Sequence, residues 1–259
     1  MANGIRQNAV NMTADEKQRF VSAMIAIKAN GIYDGFVQTH IDQFNGLAHR
    51  GPTFLPWHRR YLLDLEQRLQ AVDRTVNIPY WDWTTAGATS AVFAADLMGG
   101  NGASNNNWMV TTGPFAVNTG RWTLNIRSDS NTYLRRQFPL GTLPTAATVN
   151  GALAINTYDT APWSPASSGS FRNAIENIHN GVHVWFGGTM AGAASPNDPL
   201  FFLHHCNIDR LWSQWQAARP TATYLPSGNT PGVTDVNEPM TPWPTTPAQM
   251  ATHPSYVYG

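Results

Sequence analysis

Six histidines fall in two blocks of three, and they constrain this chain more than any other feature. The first block is His40, His49 and His58, and the second is His179, His183 and His205; only His204 and His253 lie outside them. Imidazole is the commonest transition-metal ligand among side chains. Two compact triplets predict two metal ions held wholly by imidazole, a donor set that suits copper, zinc or iron. Two such ions facing each other suit a bridging substrate, and dioxygen is the obvious one.

The totals narrow the field. Of 259 residues, 42% are hydrophobic and 11% aromatic, enough for one sizeable core. Sixteen basic residues balance sixteen acidic ones, which argues against nucleic acid or an acidic membrane surface as partner. Charged residues are only 12%, so Asn, Thr, Ser and Gln must supply much of the polar surface. The single cysteine, Cys206, excludes an internal disulfide and reads as a small buried apolar residue. The N-terminal segment has no apolar run of signal-peptide type, and no stretch approaches the ~20 apolar residues of a membrane helix. The expectation is a soluble protein with no membrane partner, cytoplasmic or exported by a partner.

The helical signals place most of the histidines. Thr13 and Glu16 form a capping box before a helix over 13–29, with Phe20, Met24 and Ile27 at helical spacing and Gly31 as its stop. A second helix over 33–44 carries His40. A loop holding His49 follows, and then a long helix with Pro56 and His58 in its first turn and Leu62, Leu65, Leu69 and Val72 as its apolar stripe. The middle, about 84–170, is rich in Gly, Asn, Thr, Ser and Pro and predicts long irregular connections with a few short strands. Helical pattern returns over 171–186 with His179 and His183, and again after Asp198 (a natural N-cap) and Pro199. The expected fold is a mainly α single domain over 1–259. A four-helix bundle would hold the dinuclear centre, and a Pro-rich tail over 220–259 would wrap the surface.

Each site residue has a bland alternative. A lone histidine is more often hydrogen-bonded than metal-bound, and an H-x-x-x-H pair alone is a weak signal. His204 and His205 point roughly 100° apart on a helix, so they do not both face one ion. His253 reads as surface. Trp57, Trp81, Trp83, Trp185 and Trp212 read as core. Asp209, four residues after His205, either accepts a hydrogen bond from a ligand imidazole or orients Arg59 or Arg210.

The flanking residues are more specific than the spacing. The segments HRGPTFLPWHRRYLLDLEQRL and SPNDPLFFLHHCNIDRLW resemble the two copper motifs of the tyrosinase family, as do IHNGVHVWFGG and IPYWDWT. The N-terminal ADEKQRFVSAMIAIKANGIYDGFVQTH and the tail GVTDVNEPMTPW resemble the bacterial members in particular. The resemblance spans nearly the whole chain.

The resemblance implies a type 3 copper oxidoreductase with two copper ions. His40, His49 and His58 would hold the first copper; His179, His183 and His205 would hold the second, leaving His204 as a neighbour. It implies a phenolic substrate and O2, ortho-hydroxylation of monophenols, and oxidation of o-diphenols to o-quinones, as in melanin formation. The alternatives are a catechol or o-aminophenol oxidase without hydroxylating ability and, more distantly, a haemocyanin-like oxygen carrier. Some bacterial members use a small copper-loading partner protein. Phe54, Trp57, Phe201 and Phe202 would form apolar surroundings for an aromatic ring.

In the family's hydroxylating members an Asn after the first ligand of the second copper, with a nearby Glu, holds a basic water. Here these are Asn180 and Glu176; the bland alternative for Glu176 is an exposed helix residue. Bacterial relatives place several more residues between this Glu and the histidine, so Glu176 would sit one turn from the water position. Leu47 and Ala48 precede His49, so the Cys–His thioether of some relatives is excluded. Small residues at Gly192, Ala193 and Ala194 imply a wide entrance.

Overall fold

The computed structural model describes residues 4–127, 129–252 and 256–259, and every structural statement concerns these; His253 lies outside them. The strands and α-helices run β1 (Ile5–Arg6), α1 (Ala14–Ala29), α2 (Ile32–Gln43), α3 (Phe54–Val72), α4 (Ala88–Val92), α5 (Ala146–Leu153), α6 (Phe171–Phe186), α7 (Leu200–Ala218), α8 (Pro247–Ala251) and β2 (Val257–Tyr258). The fold is mainly helical with long loops, as expected. Helices α2, α3, α6 and α7 carry five of the six histidines, and His49 lies in the loop between α2 and α3.

Local chemistry sets the helix ends. Glu16 N–H donates to Thr13 Oγ1 at 3.3 Å and Thr13 N–H donates to Glu16 Oε2 at 2.8 Å, so the capping box forms. Gly31, at φ +80°, separates α1 from α2 in a conformation that a side chain would strain. Along α3, Leu62, Leu65 and Leu69 are fully buried, each stabilising by about 1.5–3 kcal/mol. Val72 departs from the expected stripe: it is 49% exposed as the last residue of α3. Pro56 is the third residue of α3, which places His58 in the second turn rather than the first. Likewise Pro199 occupies the cap position of α7, yet Asp198 still serves, accepting from Leu200 N–H at 3.1 Å.

The irregular middle is held by a buried cation. Arg136 donates to the carbonyls of Met98 (2.7 Å) and Gly99 (2.9 Å), and pairs with both oxygens of Asp198 at 2.8 and 2.9 Å. One guanidinium therefore fastens two loops to the start of α7, adding to the few backbone bonds that join 102–110 to 134–136. The short helices α4 and α5 within this stretch carry no strong periodicity and were not expected from the sequence.

The tail does more than wrap the surface. Tyr224, Met240 and Tyr256 are buried, and α8 packs on α3. At its end β2 pairs in parallel with β1, Ile5 opposite Val257 and Arg6 opposite Tyr258. This brings two tyrosines to a buried charge network. Asp209 accepts from Arg59 Nε (2.6 Å), Arg6 Nη1 (3.1 Å), Tyr258 OH (2.5 Å) and Tyr256 OH. Glu66 takes the other side of Arg6 at 3.0 Å. The two possibilities for Asp209 are thus decided: it orients Arg59, while Arg210 pairs with Asp82 at 2.8 Å.

Burial alone would push the Asp209 pKa up, but the Arg59 and Arg6 charges and the tyrosine hydroxyls outweigh it, and the pKa is lowered. A lowered folded pKa means stability present above the unfolded carboxylate pKa and lost as pH falls through the folded one. Replacing Asp209 by Ala leaves the buried Arg59 without a carboxylate and Arg6 with Glu66 alone, and should cost about 3–5 kcal/mol. Urea unfolding at neutral pH checks this; a loss under 1 kcal/mol, far below that range, would mean the network is slack.

Candidate metal centre

Six of the eight histidines converge as the two expected triplets, and one more joins them. The ligand atoms of His40, His49 and His58 lie within 4.8 Å of one another, as do those of His179, His183, His204 and His205. The two groups abut. His58 stacks on His205 with ring centroids 4.1 Å apart, and His49 lies 5.7 Å from His179. His179 and His183 share a face of α6 because they are four residues apart.

The carbonyl contacts fix the tautomers. His40 Nδ1 meets Ala193 O at 2.6 Å, His58 Nδ1 meets Phe54 O at 2.8 Å, and His183 Nδ1 meets Met190 O at 2.7 Å. A carbonyl only accepts, so each Nδ1 carries the proton and each Nε2 presents a lone pair. His179 Nδ1 likewise donates to Asn180 Oδ1 at 3.1 Å. The Nε2 atoms of His40, His58 and His183 are buried without a partner, and those of His179 and His205 point at each other 3.0 Å apart. This is the arrangement of metal-ligating imidazoles whose outer nitrogens are oriented by the protein.

His204 departs from the helical-wheel expectation. It lies flat against His179 (5.0 Å, 13°) in the same cluster as His205, and both its ring nitrogens are buried and unpartnered. The second group therefore brings four imidazoles together, and the choice of His205 over His204 as the ligand rests on the resemblance. Cys206 turns away, donating to Ile78 O at 3.3 Å, and burial pushes its thiol pKa up to about 12.

The apolar surroundings differ in role from the expectation. Phe54, Trp57, Phe201 and Phe202 are fully buried. Phe201 stacks on His205 at 4.0 Å and Phe54 lies 5.0 Å from His179, so these rings pack directly on the histidines and floor the centre. The solvent side is marked instead by half-buried Phe44 and His183 and by exposed Asn180 and Val184.

Glu176 is buried, not an exposed helix residue. Its carboxylate accepts from Arg50 N–H at 2.5 Å and from Arg172 Nη1 at 2.9 Å, and Arg172 pairs with Asp159 at 2.8 Å. Burial raises the Glu176 pKa against these contacts. Sequence reasoning missed Arg172, Asp159 and Arg50, although Arg172 and Glu176 are four apart on a helix, a spacing that signals an ion pair.

Burial pulls the His40 pKa down to about 3 and that of His183 to about 4, against their carbonyl hydrogen bonds. The folded pKa lies below the unfolded one, so stability is present above the unfolded imidazole pKa and is lost as pH falls toward the folded value. The metal-free protein should therefore weaken steeply from about pH 6.5 to 4, each such histidine adding about 1.4 kcal/mol per pH unit. Urea midpoints across that range check it; a flat profile would mean these rings are solvated. Replacing His58 or His183 by Ala should remove one bound metal ion per chain, as read by metal analysis.

Comparison with known proteins agrees with this geometry. The common central domain of tyrosinase matches residues 30–218. The tyrosinase of Streptomyces antibioticus is 49% identical over 96% of each chain, and the grixazone synthase of Streptomyces griseus is 43% identical over 96% of each. Among solved structures, a polyphenol oxidase from Thermothelomyces thermophila superposes with a TM-score of 0.65 at 22% identity, over 90% of this chain and 73% of that one. A functional unit of octopus haemocyanin superposes at 0.62 with 25% identity, over 98% of this chain and 67% of that one. The chain belongs to the tyrosinase family.

Proposed function

We propose that this chain is a type 3 copper oxidase that uses dioxygen to ortho-hydroxylate monophenols and to oxidise o-diphenols to o-quinones. The observation that carries the reading is the pair of facing imidazole groups with lone pairs turned inward. His40, His49 and His58 would hold one copper, and His179, His183 and His205 the other. Neutral nitrogen donors without a carboxylate suit copper. The copper pair, when bound, supplies dioxygen activation and takes electrons from the phenol.

The chain's own residues prepare the substrate. A phenol with pKa near 10 gives up its proton at neutral pH only with help, a difference of about 4 kcal/mol. Asn180 stands at the solvent side beside His179. Its carbonyl oxygen is taken by His179 Nδ1–H, which leaves its NH2 to donate to a phenolate oxygen or a water. Glu176 is one turn earlier on the same face of α6. Its two bound donors leave lone pairs for a water, so the Glu176–Asn180 pair is retained as the proton-accepting arrangement. The fully buried floor of Phe54 and Phe201 excludes water beneath the centre.

A second reading, a catechol or o-aminophenol oxidase without hydroxylating ability, draws on the engagement of Glu176 with Arg50 and Arg172. A haemocyanin-like oxygen carrier is a more distant reading. Copper loading by a small partner protein fits a centre this deeply enclosed, and a cytoplasmic location, or export with such a partner, goes with it. Among the described residues no helix is long and apolar enough to cross a membrane.

The deciding measurement is the ratio of monophenol to diphenol turnover on copper-loaded protein. No product from tyrosine, even after priming with a trace of catechol, would replace the first reading by the second; metal analysis showing zinc in place of copper would end both. Replacing Asn180 by Ala should lower monophenol turnover about 10- to 100-fold more than diphenol turnover; equal losses would remove its special role. Gly192, Ala193 and Ala194 bring little bulk to the mouth, so turnover should hold across a series of bulkier phenols. A steep decline along that series would contradict this.

A further inference from the structure

We infer that Glu176 is a positioning residue for His49, holding the first metal site's loop ligand from a helix of the second site. The inference rests on the reading of both groups as metal sites. His49 differs from the other ligands in its support. His40, His58, His179, His183 and His205 stand on helices, whereas His49 stands in the loop 44–53. His40, His58 and His183 are each steered by a well-formed carbonyl hydrogen bond on Nδ1, while His49 has only a looser contact with the Phe44 carbonyl.

The loop is tied near each end. Ala48 N–H donates to Gln43 O at 3.1 Å, Thr53 Oγ1 to Leu47 O at 2.5 Å, and Phe54 N–H to Gly51 O at 3.1 Å. The residue after His49 carries the strain: Arg50 has φ +65°, a conformation that a side chain adopts at a cost of order 1 kcal/mol. Its N–H is the group that Glu176 accepts, at 2.5 Å. A left-handed residue held by a charged acceptor fixes the direction of the chain through His49.

Glu176 is itself immobilised. Arg172 Nη1 grips its second oxygen at 2.9 Å; Arg172 Nε and Nη2 grip Asp159 at 2.8 and 3.0 Å, and Nη2 also reaches Ser164 O at 2.9 Å. Asp159 in turn accepts from Ser170 Oγ, the N-cap of α6, at 2.7 Å. The chain of contacts runs from the start of α6 through Arg172 and Glu176 to Arg50 and so to His49. Glu176 is three residues before His179. One helix thus places a ligand of the second site directly and a ligand of the first through a carboxylate.

The test compares Glu176→Ala and Glu176→Gln with the unaltered chain, each metal-free and after copper loading. In metal-free Glu176→Ala the Arg50 amide should exchange with solvent about tenfold faster or more, having lost its charged acceptor. Bound copper should fall from about two toward about one per chain after dialysis, since a loosened ligand costs metal affinity 10–100-fold. Diphenol kcat should fall in step with the copper and with KM unchanged, because fewer chains hold a complete pair, and monophenol kcat should fall at least as far. Glu176→Gln keeps a carbonyl acceptor for Arg50 and should restore much of the amide protection and the copper.

If Glu176→Ala does not fold, Glu176→Asp carries the test: the charge stays beside Arg172, but the carboxylate retreats one methylene from Arg50. An Arg50 amide that exchanges at the unaltered rate overturns the inference. So does full copper retention with loss confined to monophenols, which would leave Glu176 acting on the substrate alone. If the unaltered protein binds metal but oxidises no phenol, the function proposed above fails, while the amide and metal readouts still decide the role of Glu176.

Discussion

Buried imidazole nitrogens with nothing to bond dominate the energetics of this molecule. His40, His58 and His183 each present an inward Nε2, His205 a bare Nδ1, and His204 two bare nitrogens. A buried polar atom without a partner costs about 1–3 kcal/mol. With neither metal nor water at them, these atoms together would cost as much as the net stability of a typical domain, about 5–15 kcal/mol. A fold that gathers so many lone pairs in one place is complete only with electrophiles between them. Metal binding and folding stability are therefore linked here.

The scaffold that sustains this cost is built from buried guanidiniums rather than from β-sheet. Arg6, Arg59, Arg136 and Arg172 are fully buried, and each is matched by a carboxylate. Arg59 lies beside His58 in sequence and Asp209 lies one turn after His205. Their bond ties α3 to α7, so a ligand helix of one site is locked to a ligand helix of the other. The Arg59 plane also covers Trp212 at 3.7 Å, which adds cation–π attraction to the ion pair. Planar, always-charged forks do this work where lysine would not.

What was legible in the sequence follows from range. The capping box of Thr13 and Glu16 and the paired faces of His179 and His183 are local, and both formed as read. The six histidines were legible because their chemistry is rare, and their division into two groups needed only their blocks. Glu176 was visible as a residue, but its burial was not, because that depends on Arg50, 126 residues away. The same holds for Arg6, whose partners Glu66, Asp209 and Tyr258 lie 60, 203 and 252 residues off. The aromatic residues misled in one respect. Phe54 and Phe201 flank ligands in sequence, yet whether they face a substrate or a core depends on which side of the helix meets the bundle. His204 shows what a helical wheel leaves out, since it stacks on His179 across the helix pair although it points away from His205 on its own helix.

The short loop after α6 supplies the carbonyls of both Met190 and Ala193, and these steer His183 in one group and His40 in the other. Its start is rigid: Gly188 sits at φ +55° so close to Arg135 that a Cβ there would fall 2.0 Å from the Arg135 carbonyl. A single yoke therefore steers one ring in each histidine group. Stretching or tilting it would turn both rings in concert, so the relative setting of the two histidine groups is a property of four loop residues and not of the bundle alone.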